Sequence, residues 1–315
     1  SGGAYLRGIA AVFSDLILAL SKCIMSGLEM KLVLASDGSR NAMCGEKIVQ
    51  RIPKLRETDF TLVHVIEQTK ASIKEGQGEQ QEQLAEQILA GVGERLVGFR
   101  YQTEVRHGHS AEELLAVAAD PSVGLMVLGA QGLSGLKQFL LGSVSERVAR
   151  HAPCSTLIAR SYGPTDHLRV IVALDDTTNA QTVVDAVASL KLPAGTHLHI
   201  VSVMTVVKLF GMEYLEHSSR PWQRARARAE VALEAAATRL RASCPEMEVS
   251  THLREAEDVS DSLVAFARTI EANLVFVGSH GKSALERFVL GSVSEKVLRH
   301  APCSVWVVRP PRKHD

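Results

Sequence analysis

The chain has 315 residues, of which 46% are hydrophobic, 4% aromatic and 22% charged, a length that exceeds one typical core and suits two domains of about 150 residues each. Lys plus Arg number 35 and Asp plus Glu 35. With no overall field to attract nucleic acid or an anionic membrane, a small neutral or neutralised partner fits best.

Residues 1–29 stand apart from the rest of the chain. Ser-Gly-Gly reads as a cloning remnant, and Ile9, Val12, Phe13, Leu16, Ile17 and Leu20 then fall on one helical face, with Asp15 interrupting the apolar run. The run is too short and too broken for a membrane span. Its aspartate, and the want of a convincing cleavage site before MKLVLASD, argue against a secretory leader. An amphipathic extension that packs on the body or on a partner chain is expected.

From residue 30 short apolar runs alternate with amphipathic stretches. Strands are predicted at KLVLASD (31–37), FTLVHVIE (60–67), TEVRHG (103–108), GLMVLGA (124–130) and STLIAR (155–160), with helices around 40–51, 79–98, 110–119 and 143–151. GPTDH (163–167) reads as a linker. The order then repeats with RVIVALDD (169–176), HLHIVSVM (197–204), VSTHLRE (249–255), NLVFVGSH (273–280) and SVWVVR (304–309). Such alternation predicts an α/β fold of two tandem doubly wound domains, 30–162 and 168–310, each with a five-stranded parallel sheet covered on both faces. The second half is longer between its first and fourth strands. The excess falls in residues 206–230, read as a surface loop followed by the solvated, Arg-rich face of a long helix.

The repeat is sharpest at GAQGLSGLKQFLLGSVSERVARHAPC (129–154), which returns as GSHGKSALERFVLGSVSEKVLRHAPC (278–303). Gly129, Gly132 and Gly142 are matched by Gly278, Gly281 and Gly291, and each segment starts at the carboxyl end of a buried strand, where open parallel sheets bind ligands. Glycine there lets backbone approach a ligand and permits positive φ. GSVSE then opens a helix. Ser143 with Glu146, and Ser292 with Glu295, have the spacing of a capping box, and a helix start with free N–H groups suits phosphate oxygens. The plainer alternative is a tight turn with capping serines, but two copies with identical spacing favour a shared task.

Asp37 and Asp175 end the first strand of each half, beside the glycine-bearing strand in a doubly wound sheet. A carboxylate there accepts hydrogen bonds from a base or sugar edge, or helps to hold a metal beside phosphates; the alternative role is a helix N-cap.

Other features carry less. Five cysteines without close spacing make neither a disulfide framework nor a zinc site and suggest a reducing compartment; Cys154 and Cys303 read as small buried hydrophobes opening strands. GSHGKS lacks the glycine a phosphate-binding loop needs, since Phe276 stands there. His107 and His109 in RHGHS are expected to be satisfied or solvent-facing rather than metal ligands. Neither a nucleophile elbow nor an HExxH motif occurs, so no catalytic residue and no metal site is assigned.

Taken together, these residues resemble the universal stress protein family, whose nucleotide-binding members carry Gly, two residues, Gly, nine residues, Gly, then Ser or Thr. Both halves match this spacing, and over roughly 30–310 the chain resembles a tandem member. The resemblance implies ATP, with or without magnesium. It implies Asp37 and Asp175 at the adenine or ribose end, Val65 and Val203 against the adenine, and the six glycines lining the phosphates. Ser143, Val144, Ser292 and Val293 would offer hydroxyl and backbone donors. His280 would stand near the phosphates in the second half, where the first has Gln131. The second half departs with DDT instead of DGS, and with Glu257 at the place of Gly108. A sheet order of 3-2-1-4-5 is implied, with the last strand of each half at an edge where the family pairs domains, so the tandem halves would form a pseudo-dimer. The implied function is a cytoplasmic ATP-binding regulatory protein of the stress response, with slow hydrolysis at most and with a homodimer of tandem chains as a further partner. The alternatives are an adenine-nucleotide α-hydrolase-type enzyme, whose signature loop neither SDGSRN nor DDTTNA supplies, and a nucleotide-independent interaction protein.

Overall fold

A computed structural model of the protein describes residues 31–67, 77–132, 141–160, 165, 167–175, 179–206, 208–209, 212–213, 219–279 and 290–310. The predicted extension over 1–29 and most of the linker lie outside them.

The first half runs β1 (Lys31–Ala35), α1 (Arg40–Arg51), α2 (Pro53–Arg56), β2 (Phe60–Glu67), α3 (Gln77–Arg95), β3 (Tyr101–Gly108), α4 (Ser110–Ala118), β4 (Val123–Gly129), α5 (Ser143–His151) and β5 (Ser155–Ala159). The second runs β6 (Arg169–Leu174), α6 (Asn179–Ser189), β7 (His197–Thr205), β8 (Lys208–Leu209), β9 (Met212–Glu213), α7 (Arg220–Ser243), β10 (Glu248–Ala256), α8 (Val259–Thr269), β11 (Leu274–Gly278), α9 (Ser292–His300) and β12 (Ser304–Val308). All ten expected strands form. The short α2 was not expected: Pro53 fits a first helical turn because its fixed φ suits one and its missing N–H costs nothing there. Nor was the small β8–β9 pair.

The strands make one ten-stranded sheet in the order β10-β7-β6-β11-β12-β5-β4-β1-β2-β3. Each half has the order 3-2-1-4-5 with parallel neighbours. Among the described residues the one antiparallel pairing in this sheet joins β5 to β12, with Val305 opposite Ile158 and Val307 opposite Thr156. The halves therefore form a pseudo-dimer whose edge strands complete one another. The apolar runs of the central strands explain this, since a strand covered on both faces needs no alternation. Two core clusters line the two faces. Leu34, Leu62, Leu89, Ile200, Leu240 and Phe276 belong to the face of α1, α3, α6 and α7. Val33, Met126, Ile158, Val201, Phe266 and Val275 belong to that of α4, α5, α8 and α9. Cys154 and Cys303 are buried at the start of their strands, as expected, and burial pushes the Cys303 thiol up to about 12.

Two arginines at equivalent positions lock the halves. Arg160, after β5, donates from Nη2 to Leu298 O at 2.6 Å, and Arg309, after β12, donates to Ala149 O at 2.8 Å and Arg150 O at 3.0 Å. Each thus places a cation at the carboxyl end of the other half's last helix, where the helix dipole favours it. Nearby, Glu146, Arg150, Glu295 and Arg299 form a ring of ion pairs across the pseudo-dyad, with Arg150 to Glu295 at 2.6 Å and Arg299 to Glu146 at 2.5 Å.

Candidate functional site

In both halves the chain switches sheet direction between the first and fourth strands, and this opens a crevice at their carboxyl ends. In the first half β1 lies between β2 and β4, with Ala35 opposite Val63 and Leu34 opposite Val127. Asp37, Val65 and the Gly129–Gly132 segment are therefore carried to one end of three adjacent strands.

The turn after β1 is tightly determined. Gly38 has φ 76°, a left-handed conformation that glycine tolerates at no steric cost. Asp37 Oδ1 accepts the N–H of Ser39 at 3.0 Å, and Ser39 Oγ accepts the N–H of Ala42 at 3.2 Å. The N-cap of α1 is thus Ser39 and not Asp37. The second carboxylate oxygen of Asp37 is directed at the glycine segment: a Cβ on Gly132 would lie 2.7 Å from Oδ2. His64 on β2 secures the same turn, donating from Nδ1 to Ser36 O at 2.8 Å.

The glycines have different reasons. A Cβ on Gly129 would meet Asn41 C at 2.6 Å and Ala42 N at 2.7 Å, so this glycine lets the first turn of α1 close over the end of β4. Gly132 leaves room for the Asp37 carboxylate. Gly142 has φ −70° and ψ 149°, and Gly291 φ −65° and ψ 149°, which is extended backbone open to any residue. Positive φ is therefore not what these two glycines provide.

Nor does the expected capping box form. Gly142 and Gly291 are themselves the N-caps, without a side-chain cap, and Ser143 and Ser292 are the first helical residues, both exposed. A Ser-x-x-Glu box needs the serine one position earlier, at the cap. Glu146 and Glu295 turn instead to the ion-pair ring. The helix does start just after the glycine. The first intrahelical donors are Glu146 N, to Gly142 O at 2.9 Å, and Glu295 N, to Gly291 O at 2.9 Å. The three N–H groups before each, on Ser143, Val144 and Ser145 and on Ser292, Val293 and Ser294, are those that a helix leaves without intrahelical partners, at its positive end.

Both helix starts are stapled back to the strand they follow. Gly142 N donates to Ala130 O at 2.7 Å and Ser145 Oγ to Gly129 O at 2.6 Å; Gly291 N donates to Ser279 O at 2.8 Å and Ser294 Oγ to Gly278 O at 2.5 Å. Sequence reasoning missed Ser145 and Ser294, though GSVSE repeats its second serine as faithfully as its first. In the second half Asp175 follows β6 directly and Gly278 ends β11, β6's neighbour. His280 and Gly281 lie outside the described residues.

Val65 and Val203 are partly buried at matching points of β2 and β7, where their register partners are Arg106 and Arg254. Arg106 is neutralised by Glu104 at 2.7 Å and Glu113 at 3.1 Å. Arg254 instead meets neutral groups, Ser262 Oγ at 3.1 Å and the ring of Phe266 at 5.0 Å. The histidines of RHGHS are satisfied, His107 by Glu82 and His109 by Glu67. Among the described residues no cluster of three His, Cys, Asp or Glu side chains could hold a metal, and no helix is long and apolar enough to cross a membrane.

Residues 30–160 and 167–309 each match the Universal stress protein family. The chain belongs to that family. A curated universal stress protein of Mycolicibacterium smegmatis is 25% identical over 305 residues, covering 91% of this chain and 99% of its own. Among solved structures, a universal stress protein from Archaeoglobus fulgidus has a TM-score of 0.67 at 22% identity, covering 91% of this chain and 98% of its own. A putative universal stress protein from Pseudomonas aeruginosa has a TM-score of 0.58 at 15% identity, covering 90% and 95%. The match to these relatives thus runs through both halves of the universal stress protein, and the structural likenesses fix the fold.

Proposed function

We propose that this universal stress protein is an ATP-binding regulatory protein of the stress response that holds one adenine nucleotide in the crevice of each half. The observation that carries this reading is the doubled helix start. Twice, three N–H groups at the positive end of a nine-residue helix follow a glycine pinned to the end of the fourth strand. Such a helix start is suited to phosphate oxygens. On this reading Asp37, or Asp175, at the end of the first strand meets the ribose or base edge, and Val65, or Val203, offers an apolar contact for the adenine. Gly132 supports the fit, because any side chain there would fill the space in front of the Asp37 carboxylate. Magnesium would arrive with the nucleotide: one carboxylate per half supplies at most one protein ligand, and phosphates and water supply the rest. On this reading binding, and the partner choice it controls, is the function, with any hydrolysis slow. Equilibrium binding of labelled ATP to the full chain is expected to saturate at two nucleotides per chain, and mass spectrometry of the purified protein to release adenine nucleotide. No binding at millimolar ATP overturns the reading.

A further inference from the structure

The outermost strand pair of the second half, β7 and β10, carries polar side chains on the face toward α8 that the nucleotide crevice does not use. Register pairs His197 with Glu248, His199 with Ser250, Val201 with His252 and Val203 with Arg254, and strand alternation puts all eight on one face. Three of them converge. His199 Nδ1 and His252 Nε2 are 3.1 Å apart, and Ser250 Oγ is 3.0 Å from each. The matching rows of the first half, Thr61 with Gln102 and Val63 with Glu104, hold no imidazole, so the cluster belongs to the second half alone.

We propose that His199, His252 and Ser250 bind one divalent transition-metal ion of the zinc type, at a site separate from the nucleotide crevices. The triangle of donor atoms carries the proposal. Ligand atoms at about 2.0–2.1 Å from one ion stand about 2.8–3.0 Å apart at right angles and about 3.3–3.4 Å apart in a tetrahedron; the three edges here, 3.0, 3.0 and 3.1 Å, lie within that span. Neutral rings bring at most one N–H, and Ser250 one O–H, to three edges. Hydrogen bonding therefore accounts for two of them and leaves lone pairs converging on the third. Burial keeps both rings neutral at ordinary pH, the state in which imidazole binds a metal. Phe266 of α8 lies against both, its ring centroid 4.8 Å from His252 and 5.8 Å from His199, and so restricts where they point. β10 is the edge of the sheet and all three residues are only partly buried, so an ion and its water ligands can reach them. Two imidazoles, a hydroxyl and water make an open site, and imidazole suits zinc, nickel or copper where magnesium and calcium want oxygen. The surrounding charges are mixed: Glu248 favours a cation at His199, while Arg169 and Arg254 oppose one.

The test titrates Zn²⁺, without nucleotide, into the full chain freed of metal by a chelator, and reads calorimetry and thermal unfolding. One tight ion per chain is expected, with a melting temperature that rises with zinc, because an ion held only by the folded state stabilises it. His199→Gln and His252→Gln are each expected to weaken binding at least tenfold and to abolish that rise. Ser250→Ala is expected to weaken binding less. His107→Gln, in an exposed pair with Glu82 in the other half, should leave it unchanged. Circular dichroism checks that the variants fold. Long-range nitrogen NMR of the wild type needs no substitution: zinc is expected to shift His199 Nδ1 and His252 Nε2 and to leave the other ring nitrogens in place. A chain that binds no zinc overturns the proposal. So does binding that survives both histidine substitutions, or nitrogen shifts confined to other histidines, either of which leaves the trio a hydrogen-bonded cluster only.

Discussion

Asp37 Oδ2 stands 2.7 Å from the point at which a side chain on Gly132 would begin, so the first half's carboxylate and its glycine segment share one small volume. The other oxygen, Oδ1, is already committed to the N–H of Ser39. The carboxylate is thereby oriented without being buried, and its Oδ2 edge faces the crevice.

Gly132→Ala is expected to push the Asp37 carboxylate out of place and to weaken nucleotide binding in the first half by about 1–2 kcal/mol, the scale of one misplaced hydrogen bond. In an Asp37→Ala background the same glycine substitution should cost much less, since the group it displaces is gone. Titration calorimetry on the four proteins of this cycle checks the coupling; additive losses would separate the two residues.

Gly129→Ala should behave differently, because the atoms in its way are the backbone of Asn41 and Ala42. The first turn of α1 must shift, at a cost of roughly 1–3 kcal/mol in stability. Gly142→Ala, in extended backbone with Ala130 O at 3.3 Å from the added carbon, should fold with little loss. Thermal unfolding of the two variants side by side checks the contrast, and equal melting temperatures would contradict it.

How much of this was legible in the sequence depends on the range over which each feature is decided. The strands follow from runs such as LMVL and VFV, and the helix starts after Gly142 and Gly291 follow from GSVSE, because these are local matters of apolar pattern and turn chemistry. The role of each glycine is not local. Gly129 is explained by Asn41 and Gly132 by Asp37, each far away in the chain, and spacing alone treats both like Gly142. The same holds for Arg160 and Arg309, whose partners Leu298 and Ala149 lie in the opposite half. The capping box failed for a narrower reason: the spacing was present, but one residue out of phase with the helix start.

Arg160 and Arg309 give a further prediction. Both are buried, and burial lowers their pKa without discharging them, since guanidinium stays protonated throughout the working range. Arg160→Met is expected to leave Leu298 O without its charged donor and to cost about 1.5–3 kcal/mol, the value of a hydrogen bond to a charged group. The loss should appear as looser coupling of the halves. Hydrogen exchange should rise along β5 and β12 more than along β3 or β10; uniform change across the sheet would speak against a local lock.

Acid sensitivity should reside in the second half, where His199 Nδ1 and His252 Nε2 are 3.1 Å apart and Ser250 Oγ is 3.0 Å from each. With both rings neutral, one of the two facing nitrogens can donate while the other accepts, with Ser250 Oγ bridging them; a proton on the accepting nitrogen sets two N–H groups facing one another. Burial first, and then His252, holds His199 down at about 4, while burial and Arg254 lower His252. The surrounding groups give little relief: His197 is paired with Glu248 on the same face, and Arg169 adds a further positive charge. Unfolding frees both rings to titrate near the ordinary imidazole value of about 6.5. Because the folded values lie lower, the unfolded chain binds more protons in the interval between them, and stability declines as pH falls from about 6.5 towards about 4. His199→Gln keeps a hydrogen-bonding side chain but removes one titration. Its melting temperature should therefore fall less steeply than the wild type's across that interval, with the two curves converging on parallel slopes above about pH 7, where neutral imidazole prevails in both states; identical slopes throughout would place the acid sensitivity elsewhere.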